Sequence, residues 1–405
     1  MAGRPLITDA ERRARLAVRH HLAPAARTGT VVAAAEDLVG LHASDPVSVY
    51  LAARARVRGF ATADLERALY DERSLLKVLG MRRTMFVVPV ELAAIIQAAC
   101  TASLARGERG RLLRMLEEAG ISDDPERWLA GVEDEAIAAL ERLGEATAAD
   151  LTKAVEGLRA QIPFGAGKAW QGTVGVSTRL LFLLATEGRI IRGRPKGTLV
   201  SSLYRWVPMD RWVPGGLRDI PASEAQAELA RRWLATFGPG TRDDLRWWAG
   251  WTVATVTRAL RAARAVEVDI EGGATGWALP DDLEPVGFAT PEEPAAGPPA
   301  PWVALLPALD PTTMGWQARD WYLGGHRGRL FDRNGNAGPT IWLDGRVVGG
   351  WAQRRDGEIA VRLLEDVGRE ASNRVAAEAA ELQAWLGNLR FVPRFRTPLE
   401  QELIG

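Results

Sequence analysis

Two stretches of the chain, 94 residues apart, open with the same signature: Thr147-Ala-Ala-Asp-Leu151 and Thr241-Arg-Asp-Asp-Leu245. A threonine followed three residues later by an acid is a helix start in which each side chain can satisfy a backbone N–H near the other. Each copy precedes a longer helical stretch and then an apparent strand pair, and Thr62-Ala-Asp-Leu65 reads as a shortened relative. Recurrence of this kind predicts tandem copies of one small module. Short helices followed by a strand pair are in the order of a winged helix, a helix-turn-helix variant whose hairpin can touch a second part of a duplex.

The 405 residues exceed what one ordinary core holds. The expected segments are residues 1–119, a first winged-helix unit with a connecting helix; 120–218, a second with a basic hairpin; and 219–288, a third. A Pro-rich linker over 289–301 then leads to 302–405. In the last segment the apolar runs Trp302–Leu306, Thr340–Leu343, Val347–Gln353 and Ile359–Leu363 are interspersed with Asn334-Gly335, Asp344-Gly345 and Asp356-Gly357. Such dipeptides supply the left-handed residues of tight hairpins, and Arg369–Leu386 reads as a closing helix. The fold class expected is α+β: tandem winged-helix units followed by a small antiparallel β-barrel.

Composition narrows the setting. Hydrophobic content of 47% and charged content of 25% are those of a soluble globular protein. No apolar run has the length of a membrane span and no signal-peptide pattern is visible, so a cytoplasmic protein with no membrane partner is expected. Cys100 is the single cysteine, which excludes an internal disulfide, and its apolar neighbours Ile95 and Ile96 predict a buried structural thiol. Net charge is zero but banded: residues 1–114 carry +7, 115–150 carry −9 and 151–218 carry +8. Basic bands divided by an acidic one point to surfaces facing an anionic partner.

One turn places polar groups where apolar ones would be expected. A short helix ends near Gly40 and a second begins at Pro46, and between them lie His42, Ser44 and Asp45. Asp45 is a natural N-cap. The trio reads either as a small acid/base site or as two caps and a satisfied turn histidine. Arg54 and Arg56 follow on the second helix and would give a phosphate-facing side. Arg82 and Arg83 sit at the approach to the first strand pair, and the Arg189–Trp206 hairpin carries Arg189, Arg192, Arg194, Lys196 and Arg205 with Ser201 and Ser202, and no acid. Cations and hydroxyls on a hairpin suit phosphate tracking. A metal site on His326, Asp310 and Asp320 is disfavoured by its single histidine, and no cofactor is expected.

Leu38–Arg56, Met81–Val88, Ser201–Trp206 and Leu305–Asp310 through Asp332–Trp342 together resemble the AlkZ-like (AlkZ/YcaQ) winged-helix DNA glycosylase family over nearly the whole chain. The resemblance implies a basic channel for duplex DNA and hydrolytic removal of bulky N-alkylated purines, including crosslinks made by genotoxic natural products, as in bacterial self-resistance. It implies damaged duplex DNA as the partner and hence a nucleoid-associated place in the cytoplasm; a monomer is expected. Members characteristically carry Gln-x-Gln or Gln-x-Asp at the catalytic turn, where this chain has His42 and Ser44. The residues expected to act are His42 on water, Asp45 on the developing sugar charge and Ser44 in support. With no lysine near the turn a monofunctional hydrolase is expected, and a non-catalytic winged-helix DNA binder is the alternative.

Overall fold

Thr30 accepts the N–H of Ala33 and Thr8 that of Glu11, and these local caps set the first helices of the computed structural model. The structure describes residues 3–165, 171–197, 201, 203–284, 300–393 and 395–404. The opening elements are β1 (Leu6–Ile7), α1 (Asp9–Arg19), α2 (Val31–Asp37), β2 (Leu41–His42), α3 (Pro46–Arg54), α4 (Thr62–Glu66), β3 (Leu75–Leu79) and β4 (Met85–Pro89). Strands β2, β4 and β3 form one sheet in that order. Helices α5 (Val90–Ile96) and α6 (Ala102–Glu118) follow, with Cys100 buried between them.

A second pass begins with α7 (Pro125–Leu143) and α8 (Ala148–Ala154), and the hairpin β5 (Gln161–Phe164) and β6 (Gly172–Gly175) is inserted before α9 (Val176–Thr186). Strands β7 (Ile190–Pro195) and β8 (Tyr204–Pro208) pair antiparallel, and α10 (Met209–Trp212) ends the pass. The third consists of α11 (Ala222–Phe237), α12 (Arg242–Ala249), α13 (Val253–Ala262) and the hairpin β9 (Val266–Ile270) with β10 (Ala274–Ala278); β1 adds to its edge, parallel to β9.

The three passes share a plan. In each, a short strand follows the first helix and lies against the last strand of the hairpin: β2 beside β4, Ala146 bridging Trp206 on β8, and Gly240 bridging Trp277 on β10. Thr147 and Thr241 both cap the helix after that bridge through reciprocal bonds with Asp150 and Asp244. Thr62 is a correction. It stands at the start of α4, the next helix along, so it is out of register with the other two; the first pass has Asp45 at the equivalent cap.

The last segment runs β11 (Val303–Leu306), α14 (Asp320–Leu323), α15 (Arg327–Leu330), β12 (Thr340–Leu343), β13 (Arg346–Gln353), β14 (Ile359–Leu363), α16 (Gly368–Leu386) and α17 (Pro398–Ile404). Asp344 and Gly345 both have positive φ between β12 and β13, as a two-residue hairpin requires. The expected barrel is corrected to an open sheet of order β11-β12-β13-β14, because among the described residues no sheet closes. Asn334-Gly335 turns a loop bridged by Phe331 and Ala337 instead of joining two strands of that sheet.

The chain forms two compact units, residues 1–66, 87–89 and 226–405 in one, and 67–86 and 90–225 in the other. In the first, Trp233, Phe237, Trp248, Trp316 and Tyr322 are buried in a connected aromatic cluster. Trp248 is thus core, and each such side chain contributes roughly 1.5–3 kcal/mol by leaving water. In the second, Leu129, Leu140, Leu151, Leu180, Leu184 and Trp206 unite α7, α8, α9 and β8. The Pro-rich linker lies, except for residues 300–301, outside the described residues.

Candidate active site

The turn after α2 departs from ordinary backbone. Val39 and Gly40 are consecutive residues with φ of 53° and 108°, and for a β-branched valine the left-handed region is a true outlier. Gly40 N–H closes on the Ala35 carbonyl at 2.8 Å, ending the helix and aiming the chain into β2. His42, at the end of β2, is 4% exposed, and Asp45 is 7% exposed. The Asp45 carboxylate accepts the N–H of Val47 at 3.1 Å and so caps α3, with Pro46 in the first turn. The Ser44 N–H approaches His42 Nδ1 at 3.5 Å.

The turn is longer here than in its counterparts. Thr147 and Thr241 cap their helices one residue after the bridging positions Ala146 and Gly240, whereas Asp45 comes three residues after His42. Ala43 and Ser44 are the additional residues.

Two arginines assigned to a phosphate-facing side are elsewhere. Arg56 is fully buried, its guanidinium forked onto the Asp310 carboxylate at 2.7 and 2.9 Å and bonded to Thr312 and the Ala52 carbonyl. Arg54 is largely covered and bonded to Glu378 at 2.6 Å. Both therefore hold α3 in place within its unit. His20 joins the same brace: it is completely buried, with Nδ1 2.8 Å from Thr312 Oγ1 and Nε2 3.1 Å from the Thr236 carbonyl, and burial, aided by Arg56, holds it well below the ordinary histidine range.

The remaining cations belong to the second unit. Arg82 and Arg83, at the β3–β4 turn, both have positive φ, 51° and 61°. Arg83 pairs with Glu108 at 3.0 Å and lies over the Phe182 ring. On β7 and β8, Arg192 stacks against Tyr204 and Trp206, while Arg194 pairs with Asp71 at 2.7 Å and Arg205 with Glu145 at 2.6 Å. Arg189, just before β7, pairs with Glu133 at 2.9 Å, whose own carboxyl is pushed up by burial. The hairpin has no acid of its own, yet acids from other segments of the unit meet its arginines. Lys196 is exposed, Ser201 half-buried, and Ser202 lies outside the described residues.

Glu400, on α17, is 3% exposed, and its Oε2 accepts from Thr397 N–H at 2.9 Å and Thr397 Oγ1 at 3.1 Å. Burial pushes its carboxyl up to about 7 against the Thr397 bonds and Arg396, and the charge of Asp45 adds to the rise. Thr397-Pro-Leu-Glu400 is a helix-start signature, so the signal was present in the sequence. As for metal, no group of three His, Cys, Asp or Glu among the described residues could hold an ion; Asp310 is bound to Arg56 and His326 meets Glu365 at 3.3 Å.

The architecture and the turn define a mixed α+β protein with a polar site inserted into the first of three similar passes. The model of the DNA glycosylase AlkZ-like family matches residues 35–385, and the chain belongs to that family. Among solved structures it is similar to the Streptomyces sahachiroi DNA glycosylase AlkZ, at 20% identity and a TM-score of 0.69, over 95% of this chain and 98% of that one, a likeness of fold. No curated protein matches the sequence. Among the described residues no helix is long and apolar enough to cross a membrane.

Proposed function

We propose that the protein is a monofunctional DNA glycosylase that hydrolyses the N-glycosidic bond of bulky or crosslinked N7-alkylated guanines in duplex DNA, acting as a monomer on damaged DNA. The observation that carries this reading is the lengthened, buried turn holding His42, Ser44 and Asp45 in a chain of this family. Three helix-then-hairpin passes, each with a short strand beside the hairpin, support a reading as three winged-helix units.

The chemistry asked of the turn is modest. An N7-alkylated guanine leaves as a neutral base from a cationic state, so no general acid is needed for departure. The enzyme must stabilise an oxocarbenium-like sugar and place a water. Asp45 supplies the negative charge. His42 orients or deprotonates the water, and Ser44, whose N–H approaches His42 Nδ1, supports the pair. A lyase step would require an amine nucleophile; the four lysines, at 77, 153, 168 and 196, are all distant in sequence from this turn.

Arg82, Arg83, Arg189, Arg192, Arg194, Lys196, Ser201, Ser202 and Arg205 form the proposed DNA-binding set, reduced by Arg54 and Arg56. Their pairing with acids does not oppose this role. Exposed ion pairs are worth at most about 1 kcal/mol, so a phosphate can replace Asp71 or Glu145 at little cost. The departure from the glutamine motif at His42 and Ser44 favours one second reading, a lesion binder without catalysis. Incubation with duplex carrying 7-methylguanine or a bulkier N7 adduct decides between them: alkali-labile abasic sites are expected, and binding without any such site would replace the enzyme by the binder.

A further inference from the structure

The helix that precedes the hairpin differs in its surroundings from pass to pass. In the second pass, α9 is covered: it packs on α6, α8 and β3 and buries Leu180, Leu181, Leu183 and Leu184, and the hairpin after it is the basic element. In the first, α4 carries Asp64 and Glu66. The third pass reverses the second. Helix α13 packs on α12 and buries Val256, Ala259 and Leu260, while Ala254, Thr257, Arg258 and Arg261, spaced to share its opposite face, are exposed. The helix has no acid, and Arg264 is exposed just beyond its end. Among the described residues no acid pairs with Arg258, Arg261 or Arg264.

The hairpin of the third pass, by contrast, is closed to an anion. Strand β1 occupies its edge, parallel to β9, and its acids are Glu267, Asp269 and Glu271. Arg4, two residues before β1, pairs with Glu267 and reaches Asp269 at 4.0 Å, and Glu271 accepts the Asp9 N–H at 2.7 Å. A polyanion that approaches this pass therefore meets acids and an occupied edge at the hairpin, and unpaired cations on the helix. The major groove of a duplex, about 12 Å wide, admits one helix, and arginines on such a helix reach the phosphates at its rim.

We propose that the outer face of α13, completed by Arg264, is a second docking surface for duplex DNA, held through phosphates. The inference rests on the glycosylase reading for its partner. Sequence plays little part in the contact: Ala254 has no polar group, and Thr257 donates its hydroxyl to the Val253 carbonyl at 3.0 Å. The surface gives the compact unit that contains the His42–Asp45 turn a grip on DNA of its own, on a different unit from the arginine hairpin of β7 and β8.

The test is the affinity of the full-length protein for an undamaged duplex, followed by fluorescence anisotropy through a salt series. Arg258→Ala/Arg261→Ala removes two exposed side chains that pair with no acid, so the variant should melt with the wild type. Its affinity should fall on the order of tenfold, and the slope of log affinity against log salt should become shallower by about 0.9 for each phosphate released. Arg258→Lys/Arg261→Lys keeps both charges and should keep the wild-type slope. A steep wild-type slope that the alanines leave unchanged, or that the lysines fail to restore, overturns the α13 surface and leaves the glycosylase reading standing. A wild-type slope near zero overturns it as well, and excision of an N7 adduct, measured separately, then judges the glycosylase reading. Sedimentation checks the other occupant: a dimer that Arg258→Ala/Arg261→Ala dissolves would give the face to a second copy of the chain and overturn the proposal.

Discussion

The junction between bridging strand and second helix occurs three times, and its second and third forms are alike. At Thr147 and Thr241 the cap directly follows the bridging residue, and the cap's partner is the acid three residues on. The first form has two residues more, replaces the threonine by Asp45, and follows a valine in the left-handed region. All three terminate a helix's exposed N–H groups, so capping explains Thr147 and Thr241 fully. It explains only one oxygen of Asp45 and does not account for the burial of His42. Strain and buried polarity not required for folding gather where function can use them.

The largest expected effect separates these junctions. His42→Ala should lower excision by roughly 10²–10⁴-fold with DNA affinity nearly unchanged, and Asp45→Asn by at least as much. Thr241→Ala removes the corresponding cap in the third pass and should cost only about 1 kcal/mol of stability, with excision intact. Single-turnover excision beside thermal melting reads both. A His42→Ala protein that excises at the wild-type rate, or that melts early like a lost cap, would erase the distinction between the turns.

Next in size is the brace that holds α3. Removing Arg56 leaves Asp310 charged and buried without its partner, so Arg56→Ala should destabilise by about 3–5 kcal/mol. Arg54→Ala, at a pair whose side chains keep 11% and 13% of their exposure, should cost less, about 1.5–3 kcal/mol. Equal melting temperatures for the two variants would contradict the burial that sets them apart.

The same brace predicts a pH effect. His20 is neutral in the fold and its protonation is resisted by burial and by Arg56, so the unfolded chain binds the proton more readily. Stability should therefore fall as pH drops below about 6.5, by up to about 1.4 kcal/mol per unit from this group. Melting between pH 7 and 5 measures it, and His20→Gln should flatten that part of the slope. A slope unchanged by His20→Gln would place the acid sensitivity elsewhere.

What was readable in the chain follows from the range of the interactions. Asp344-Gly345, the Thr147 and Thr241 caps and the His42–Asp45 turn depend on neighbours within a few residues, and each is found where local chemistry places it. Arg56 looked like a surface cation because its partner, Asp310, is 254 residues away. The hairpin arginines looked uncompensated for the same reason, since Asp71 and Glu133 come from other segments. A closed barrel and an open four-stranded sheet share one alternation of apolar runs, so only strand pairing separates them. Glu400 was the converse case: its helix start was legible, while its burial required the fold.

The smallest expected effect compares two hairpin tips. In the third pass the residues with positive φ between β9 and β10 are Gly272 and Gly273, at 90° and 86°, which adopt that region without strain. In the first pass the same role falls to Arg82 and Arg83, for which it costs on the order of 1 kcal/mol each. The Glu108 pair and the Phe182 ring beneath Arg83 return part of that cost. Replacing the tip by Arg82→Asn with Arg83→Gly, the pair suited to such a turn, should leave stability unchanged or raise it by up to about 1 kcal/mol. If the arginines are kept at this expense to meet phosphates, the same variant should bind duplex DNA more weakly. The slope of log affinity against log salt should then become shallower by about 0.9 for each phosphate that is no longer neutralised. Unchanged affinity and salt slope in the variant would make the arginine tip a tolerated irregularity, equivalent in function to the glycines of the third pass.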